Sequence, residues 1–402
     1  MKTIRFNELY AIPSGNGLSR PSAVRGEGYR MINMGELFAN DIISDIEMER
    51  VQMSERELKS FVVEKDDLLF ARQSLVAAGA GKCSIVDKLS EITTYESHLI
   101  RVRLNKEICN PWYYYYLFKL PDNPIKRIVN QCAQAGIRGN ELARIKIPFI
   151  DKELQDKIVG ILRNYDSLIE LNTKRTKALE QMAENLYKEW FVRFRFPGHE
   201  KAEFENGIPK GWEKVRAEKA ITFNPTIKTN DQTSFTIIPM EALSTTSMIL
   251  DSNSFTTEDS ITGKRSQNGD TLLAKITPCL ENGKTGFVMG LPEGEVFGGS
   301  TEFVVMRSKT LSPYYVYFLA RSHYFRQTAI LSMNGADGRQ RVSEDKLKST
   351  KIIQPPKKIL DKFDEIVSKM FTTIQIIVEQ NDNLIKQRDL LLPRLMSGKL
   401  EV

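Results

Sequence analysis

Asn110-Pro111-Trp112-Tyr113 has residue types close to the Asn-Pro-Pro-aromatic signature with which adenine methyltransferases hold a flipped base. That chemistry also needs a site for S-adenosylmethionine, and the sequence has no glycine-rich strand-to-helix turn to supply one. The internal counterpart, Ser312-Pro313-Tyr314-Tyr315, keeps the proline and an aromatic but not the asparagine, and neither copy has the second proline. What the copies share suits a helix start that packs aromatics into a core, so catalysis by this chain is not expected. The run Val76-Ala-Ala-Gly79-Ala-Gly81-Lys82-Cys83-Ser84 fails the phosphate-loop spacing. Val76 stands where the first glycine belongs and Cys83 where Ser or Thr should follow the lysine, so a tight turn between strands is expected. Cys83, Cys109, Cys132 and Cys279 and the histidines His98, His199 and His323 are scattered, without a C-x-x-C pair. Neither a metal site nor a disulfide framework is expected, and the compartment suited to this chain is a reducing cytosol.

Recognition is the chemistry that remains. The formal net charge is +6, from 57 basic and 51 acidic residues, which suits a nucleic-acid partner provided the acidic groups are segregated from the basic face. Base edges are read by Arg, Lys, Asn and Gln, and phosphates by any nearby donor. On polar or glycine-rich loops, the candidates are Arg20, Arg25, Arg72, Gln73 and Arg138 in the first half of the chain. In the second half they are Lys228, Lys264, Arg265, Lys275, Arg339, Gln340 and Arg341. Arg72 and Lys275 occupy matched positions just after an expected strand. Arg339 to Arg341 follow the glycine-bracketed turn Gly335-Ala-Asp-Gly338, which can approach a groove closely. For each residue taken singly, the alternative is a solvated surface charge.

These candidates need elements to position them, and an internal repeat supplies the plan. Asp67-Leu-Leu-Phe-Ala71-Arg72 parallels Asp270-Thr-Leu-Leu-Ala274-Lys275, and Tyr29-Arg-Met-Ile32 parallels Phe235-Thr-Ile-Ile238. Met1-Lys-Thr-Ile-Arg5 parallels Trp212-Glu-Lys-Val-Arg216, and Asn110-Pro111 parallels Ser312-Pro313, all in one order at a shift of about 205 residues. With 402 residues, 41% hydrophobic and 27% charged, the chain is long enough for two compact domains. Short apolar runs such as Leu99-Ile-Arg-Val-Arg-Leu104 and Glu302-Phe-Val-Val-Met306 read as strands, and Pro111 starts a short helix. No apolar run reaches the roughly 18 residues needed to span a membrane, and Met1-Lys-Thr-Ile-Arg-Phe lacks the uninterrupted apolar region expected of a secretory signal.

Each half ends in a long helical pattern. Positions 158, 162, 165, 169, 172, 176, 179, 183, 186 and 190 step by four and three, apolar at the ends and polar at Asn172 and Thr176. The second seam runs Phe363, Ile366, Met370, Ile374, Ile377, Asn381, Leu384, Arg388, Leu391 and Leu395. A buried polar pair fixes register in such seams. An antiparallel pairing about a pseudo-twofold axis near Asn172 and Asn381 keeps the halves equivalent, with Leu179, Leu186, Trp190, Leu384 and Leu391 in the interface. Helices of about 35 to 40 residues span roughly 52 to 60 Å.

Leu186-Tyr-Lys-Glu-Trp190-Phe191-Val-Arg-Phe194 and Arg388-Asp-Leu-Leu-Leu-Pro393-Arg-Leu-Met-Ser-Gly398-Lys-Leu400 resemble the two shared helical regions of DNA specificity subunits of type I restriction-modification enzymes. Gly207-Ile-Pro209-Lys-Gly-Trp212-Glu looks like the opening of that family's second recognition domain. The resemblance covers the whole chain. It implies an α+β fold in which two pseudo-symmetric target-recognition domains, 1–150 and 197–355, are joined by two long antiparallel coiled-coil helices. The central spacer helix would be 151–196 and the C-terminal one 356–402. It further implies a non-catalytic subunit in the cytoplasm that binds double-stranded DNA at a split target and docks two methyltransferase subunits and translocating restriction subunits. No cofactor is implied in this chain; S-adenosylmethionine is expected on the methyltransferase partner. The competing reading from the residues alone is a coiled-coil scaffold that organises proteins without touching nucleic acid.

Overall fold

The computed structural model describes residues 2–402 except 22–23, 75–78, 131–134, 230–231 and 337. Met1, Val76 with the two alanines after it, Cys132 and Asp337 thus lie outside the described residues. The chain divides into two units, Met1–Ile169 with Asn383–Val402, and Glu170–Asp382.

In the first unit a five-stranded sheet has the order Tyr10–Asn16, Leu99–Leu104, Leu68–Ala71, Cys83–Val86, Ile42–Ile43. The strand Leu68–Ala71 is buried throughout because both faces of the sheet are covered. Leu68 and Phe70 pack with Trp112 to Phe118, whereas Leu69 and Ala71 pack with Tyr95 and Leu99, the alternation that a two-residue period imposes. The helix Pro111–Lys119 supplies the first layer, with every residue from Pro111 to Phe118 buried. It starts where it does because Pro111 needs no amide partner at that position and Asn110 caps it, accepting from the Trp112 amide at 3.0 Å. The Asn110 carboxamide also donates to Asp156 at 2.7 Å. Asn110 therefore serves the helix start, and the resemblance to a base-flipping signature ends there.

The second unit repeats this plan. Its four-stranded sheet runs Ile221–Phe223, Phe303–Ser308, Thr271–Ala274, Thr285–Phe287, and the aromatic helix is Pro313–Arg321, capped by Ser312. Leu273, Val304 and Met306 face that helix, while Leu272, Phe303 and Val305 face the opposite layer. A two-stranded ribbon recurs as well: Ile4 pairs with Ile147 in the first unit and Val215 with Ile352 in the second. One buried ion pair is duplicated. Asp67 takes a two-pronged bond from Arg103 at 2.8 and 2.7 Å, and Asp270 takes one from Arg307 at 2.7 and 2.7 Å. Each carboxylate is 1% exposed, so the fork is what makes its burial tolerable.

Two long helices complete the units: Lys152–Tyr187, prolonged by a π turn over Lys188–Val192, and Lys357–Met396. Within the second unit Asn172 donates to Asn381 at 2.9 Å, and Trp190 lies 6.0 Å from Phe363 between ring centroids. Advancing on one helix thus retreats on the other, so the pair runs antiparallel there. Within the first unit Tyr165 and Asp166 meet Gln387 and Arg388, again antiparallel. The expected seam needs one correction. Ile366 is 39% exposed, because the terminal helix turns Val367 and Phe371 instead onto the core that the central helix shares with the second head, a head being the part of each unit outside the long helices.

The central helix is also clamped to the second head by a polar contact. Glu180 accepts from the Ser247 hydroxyl at 2.6 Å and the Met248 amide at 3.3 Å. Burial pushes its carboxyl above the ordinary glutamate value, with the Ser247 and Met248 hydrogen bonds and Arg321 opposing the shift. A carboxyl whose pKa is raised on folding adds stability below its unfolded value and loses that contribution as pH rises through the folded one. Glu180→Gln keeps an acceptor without the charge. We expect its Tm to exceed that of the wild type at pH 7 and the difference to close towards pH 4.5; a Tm below wild type at pH 7 would show that the charge itself is needed.

Candidate nucleic-acid interface

Strand ends bring the matched cations to equivalent corners. Arg72 leaves the buried strand Leu68–Ala71, and its backbone is pinned on both sides: its amide donates to His98 O at 2.8 Å and its carbonyl accepts from the Ile137 amide at 2.9 Å. Lys275 leaves Thr271–Ala274 in the same way, donating to Glu302 O at 3.0 Å and accepting from the Val342 amide at 2.9 Å. Three chain segments that are distant in sequence meet at each corner, so the backbone of the cation is fixed while its side chain projects from a strand end. Such a rigid base with a polar rim is where recognition residues are placed.

The side chains differ between corners. In the first head, Arg72 reaches Ser97 O at 3.4 Å, Gln73 lies 3.0 Å from His98 Nδ1, and Arg138 is exposed at the start of the helix Gly139–Arg144. Gly136 closes this corner from behind. A Cβ there would stand 2.9 Å from Arg72 O, which explains the absence of a side chain. In the second head, Glu344 accepts from Asn224 at 2.8 Å and lies 3.9 and 3.8 Å from Lys264 and Lys275. Arg341 grips Glu302 through Nε at 3.0 Å and Nη2 at 2.7 Å. Those bonds, against the cost of burial, hold the Glu302 carboxyl below the ordinary range, helped by the charges of Arg341 and Lys275. The Gln340 carbonyl accepts from the Thr277 amide at 3.1 Å, while Arg339 and Lys228 are exposed.

The remaining candidates have other attachments. Arg265 donates to Ile227 O at 2.6 Å, which fixes the loop carrying Lys228. Arg20 pairs with Glu57 at 2.6 Å, and Arg25 pairs with Glu49 at 2.6 Å while holding Arg20 O at 3.0 Å. These two arginines tie one loop together. On the helices, Leu179 and Leu186 pack against the core of the second unit and Leu391 against that of the first, while Leu384 is half-buried. Choosing cations and amides alone missed Glu302, Glu344 and His98. The signal available was the repeat: His98 and Glu302 fall within one residue of the offset that separates Arg72 and Lys275. Among the described residues no group of three or more His, Cys, Asp or Glu could hold a metal ion, and no helix is long and apolar enough to cross a membrane.

Residues 2–181 match the family model of the type I restriction modification DNA specificity domain. The type I restriction enzyme MjaIX specificity subunit of Methanocaldococcus jannaschii is 27% identical over 306 residues, 72% of this chain and 69% of that one. This chain is thus similar to type I DNA specificity subunits. The EcoEI specificity subunit of Escherichia coli is 30% identical to it over 154 residues, which is 37% of this chain and 26% of that protein. A crystal structure of a type I restriction-modification S subunit from M. genitalium shares the fold, with a TM-score of 0.57 at 12% identity over 98% of this chain and 95% of the other. The segment matched by the family model carries the first corner. The second corner reproduces its backbone bonds with other side chains.

Proposed function

We propose that this chain is the sequence-reading, non-catalytic subunit of a type I methyltransferase and restriction complex in the cytoplasm. Each head, over 1–150 and 197–355, binds one half of a split target on double-stranded DNA, with Arg72 and Lys275 at the centre of the two contact surfaces. The helices 151–196 and 356–402 pair as a coiled coil, set the unread gap, and receive two methyltransferase subunits, through which translocating restriction subunits join. S-adenosylmethionine belongs to the methyltransferase. The observation that carries this reading is the duplicated corner, a cation on a doubly pinned strand end in each head. A scaffold without nucleic acid has no use for that duplication, and no observation favours it.

Methylome sequencing of cells with and without this chain tests the reading. A bipartite motif that appears only with the chain is the expected result, and an unchanged methylome overturns it. In the assembled complex, Arg72→Ala or Lys275→Ala should weaken DNA binding and reduce the slope of log K against log salt by about one for each phosphate that the variant no longer neutralises. If both substitutions leave affinity and salt slope unaltered, the corners are not the contact surface.

A further inference from the structure

Arg341 and Glu302 form a pair whose geometry exceeds what its stability contribution requires. The arginine side chain is 50% exposed and the glutamate 23%, and ion pairs at such positions contribute about 0 to 1 kcal/mol. Yet both ends are tightly fixed. The Arg341 amide donates to Asn334 O at 2.9 Å and the Arg341 carbonyl accepts from the Asn334 amide at 3.0 Å. The Glu302 amide donates to Ser300 Oγ at 3.1 Å, and the Glu302 carbonyl accepts from the backbone amide of Lys275, the residue at the centre of this corner. The carboxylate occupies Nε and one N–H of Nη2, so among the five guanidinium donors the outward edge, formed by Nη1 and the second N–H of Nη2, faces away from it. Two parallel N–H groups on a planar, pre-oriented edge match O6 and N7 of guanine in the major groove.

Resting on the sequence-reading role proposed above, we infer that Arg341 reads a guanine in the half-site of the second head, and that Glu302 is the positioning residue that orients its guanidinium. Among the described residues the first head has no counterpart to this device. Gly136 stands at the position of Arg341 and His98 at that of Glu302, as the matching bonds of Asn130 with Gly136 and of Asn334 with Arg341 establish. At this position the two half-sites are therefore read with different chemistry. Glu302 also disfavours rotation of Arg341 towards a phosphate, since that would leave the carboxylate facing DNA without its cation.

The test uses the full chain in complex with its methyltransferase subunits. Methylomes are recorded for wild type, Arg341→Lys and Glu302→Gln, and the purified complexes are titrated with DNA duplexes altered at each position of the motif. Arg341→Lys keeps the charge but loses the planar fork, and Glu302→Gln keeps the shape but loses the charge that aligns it. Both should relax one G·C position of one half-site by about ten- to a hundred-fold in preference, with the other half-site and the gap unchanged. A uniform loss of binding with the motif intact would make Arg341 a phosphate contact and overturn the inference, as would an unchanged motif. Failure of both conservative variants to assemble would overturn it as well, because the pair would then be structural. If the wild-type chain directs no bipartite methylation, the sequence-reading role itself fails, a result separate from any of these.

Discussion

Arg388→Leu is expected to destabilise the first unit by about 3 to 5 kcal/mol, the cost of removing one partner from a buried ion pair. Arg388 donates to Asp166 at 2.7 Å and through Nε and Nη2 to Asp389 at 2.9 and 2.8 Å, while the Tyr116 hydroxyl donates to the second oxygen of Asp166. The Asp166 side chain is 6% exposed, so without Arg388 a carboxylate remains in the core with only a phenol as partner. Burial works against the Arg388 charge, and the hydrogen bonds and charges of the two aspartates overcome it, holding the guanidinium above its ordinary value. Burial, reinforced by Asp166, likewise raises the Tyr116 phenol, which stays protonated as a donor. Denaturant unfolding of the isolated chain measures the loss. Asp166→Leu combined with Arg388→Leu should recover about half of it, since the remaining deficit is the stranded Tyr116 hydroxyl, worth about 1 to 3 kcal/mol. A double variant less stable than Arg388→Leu alone would show that the aspartate is needed for more than its partner.

Shortening both long helices together should move the gap in the DNA target and leave the half-sites intact. The register of the second unit, with Asn172 on Asn381 and Trp190 on Phe363, sets residues 171–177 opposite residues 376–382. Deleting both stretches removes two helical turns of about 10 Å while keeping the seven-residue repeat in phase. At 3.4 Å per base pair that is about three base pairs. Methylome sequencing of a strain carrying the double deletion should return the same two half-sites with a gap about three base pairs shorter. The same gap, or altered half-sites, would show that helix length does not set the spacing. Deleting only one stretch should abolish methylation, because the two seams then lose register along their length.

The layers of each head were legible in strand periodicity. Leu68-Leu-Phe-Ala71 alternates between two cores, as its pattern and the matched Thr271-Leu-Leu-Ala274 suggest. The seams were legible too, down to the asparagine pair, because helix contacts between regular elements repeat at fixed sequence steps. The partner of Arg388 was not. Arg388 read as a polar interruption, and Asp166 lies one residue beside the seam position 165, where rotation of the helix against the aromatic helix decides which side chain turns inward. Ile366 fails for the same reason, since packing against a head competes with packing against the other helix and wins.

The loops separate the two sources of information most clearly. The duplication, the order of elements, the two helices and the matched cations Arg72 and Lys275 were determined by the sequence, since each is a local pattern or a comparison of patterns along the chain. Only the tertiary structure decided that Arg72 meets His98 and Ile137, that Lys275 meets Glu302 and Val342, and that Glu302 fixes Arg341. Those contacts join segments brought together by sheet order, and a loop side chain takes its role from neighbours that no local periodicity reveals.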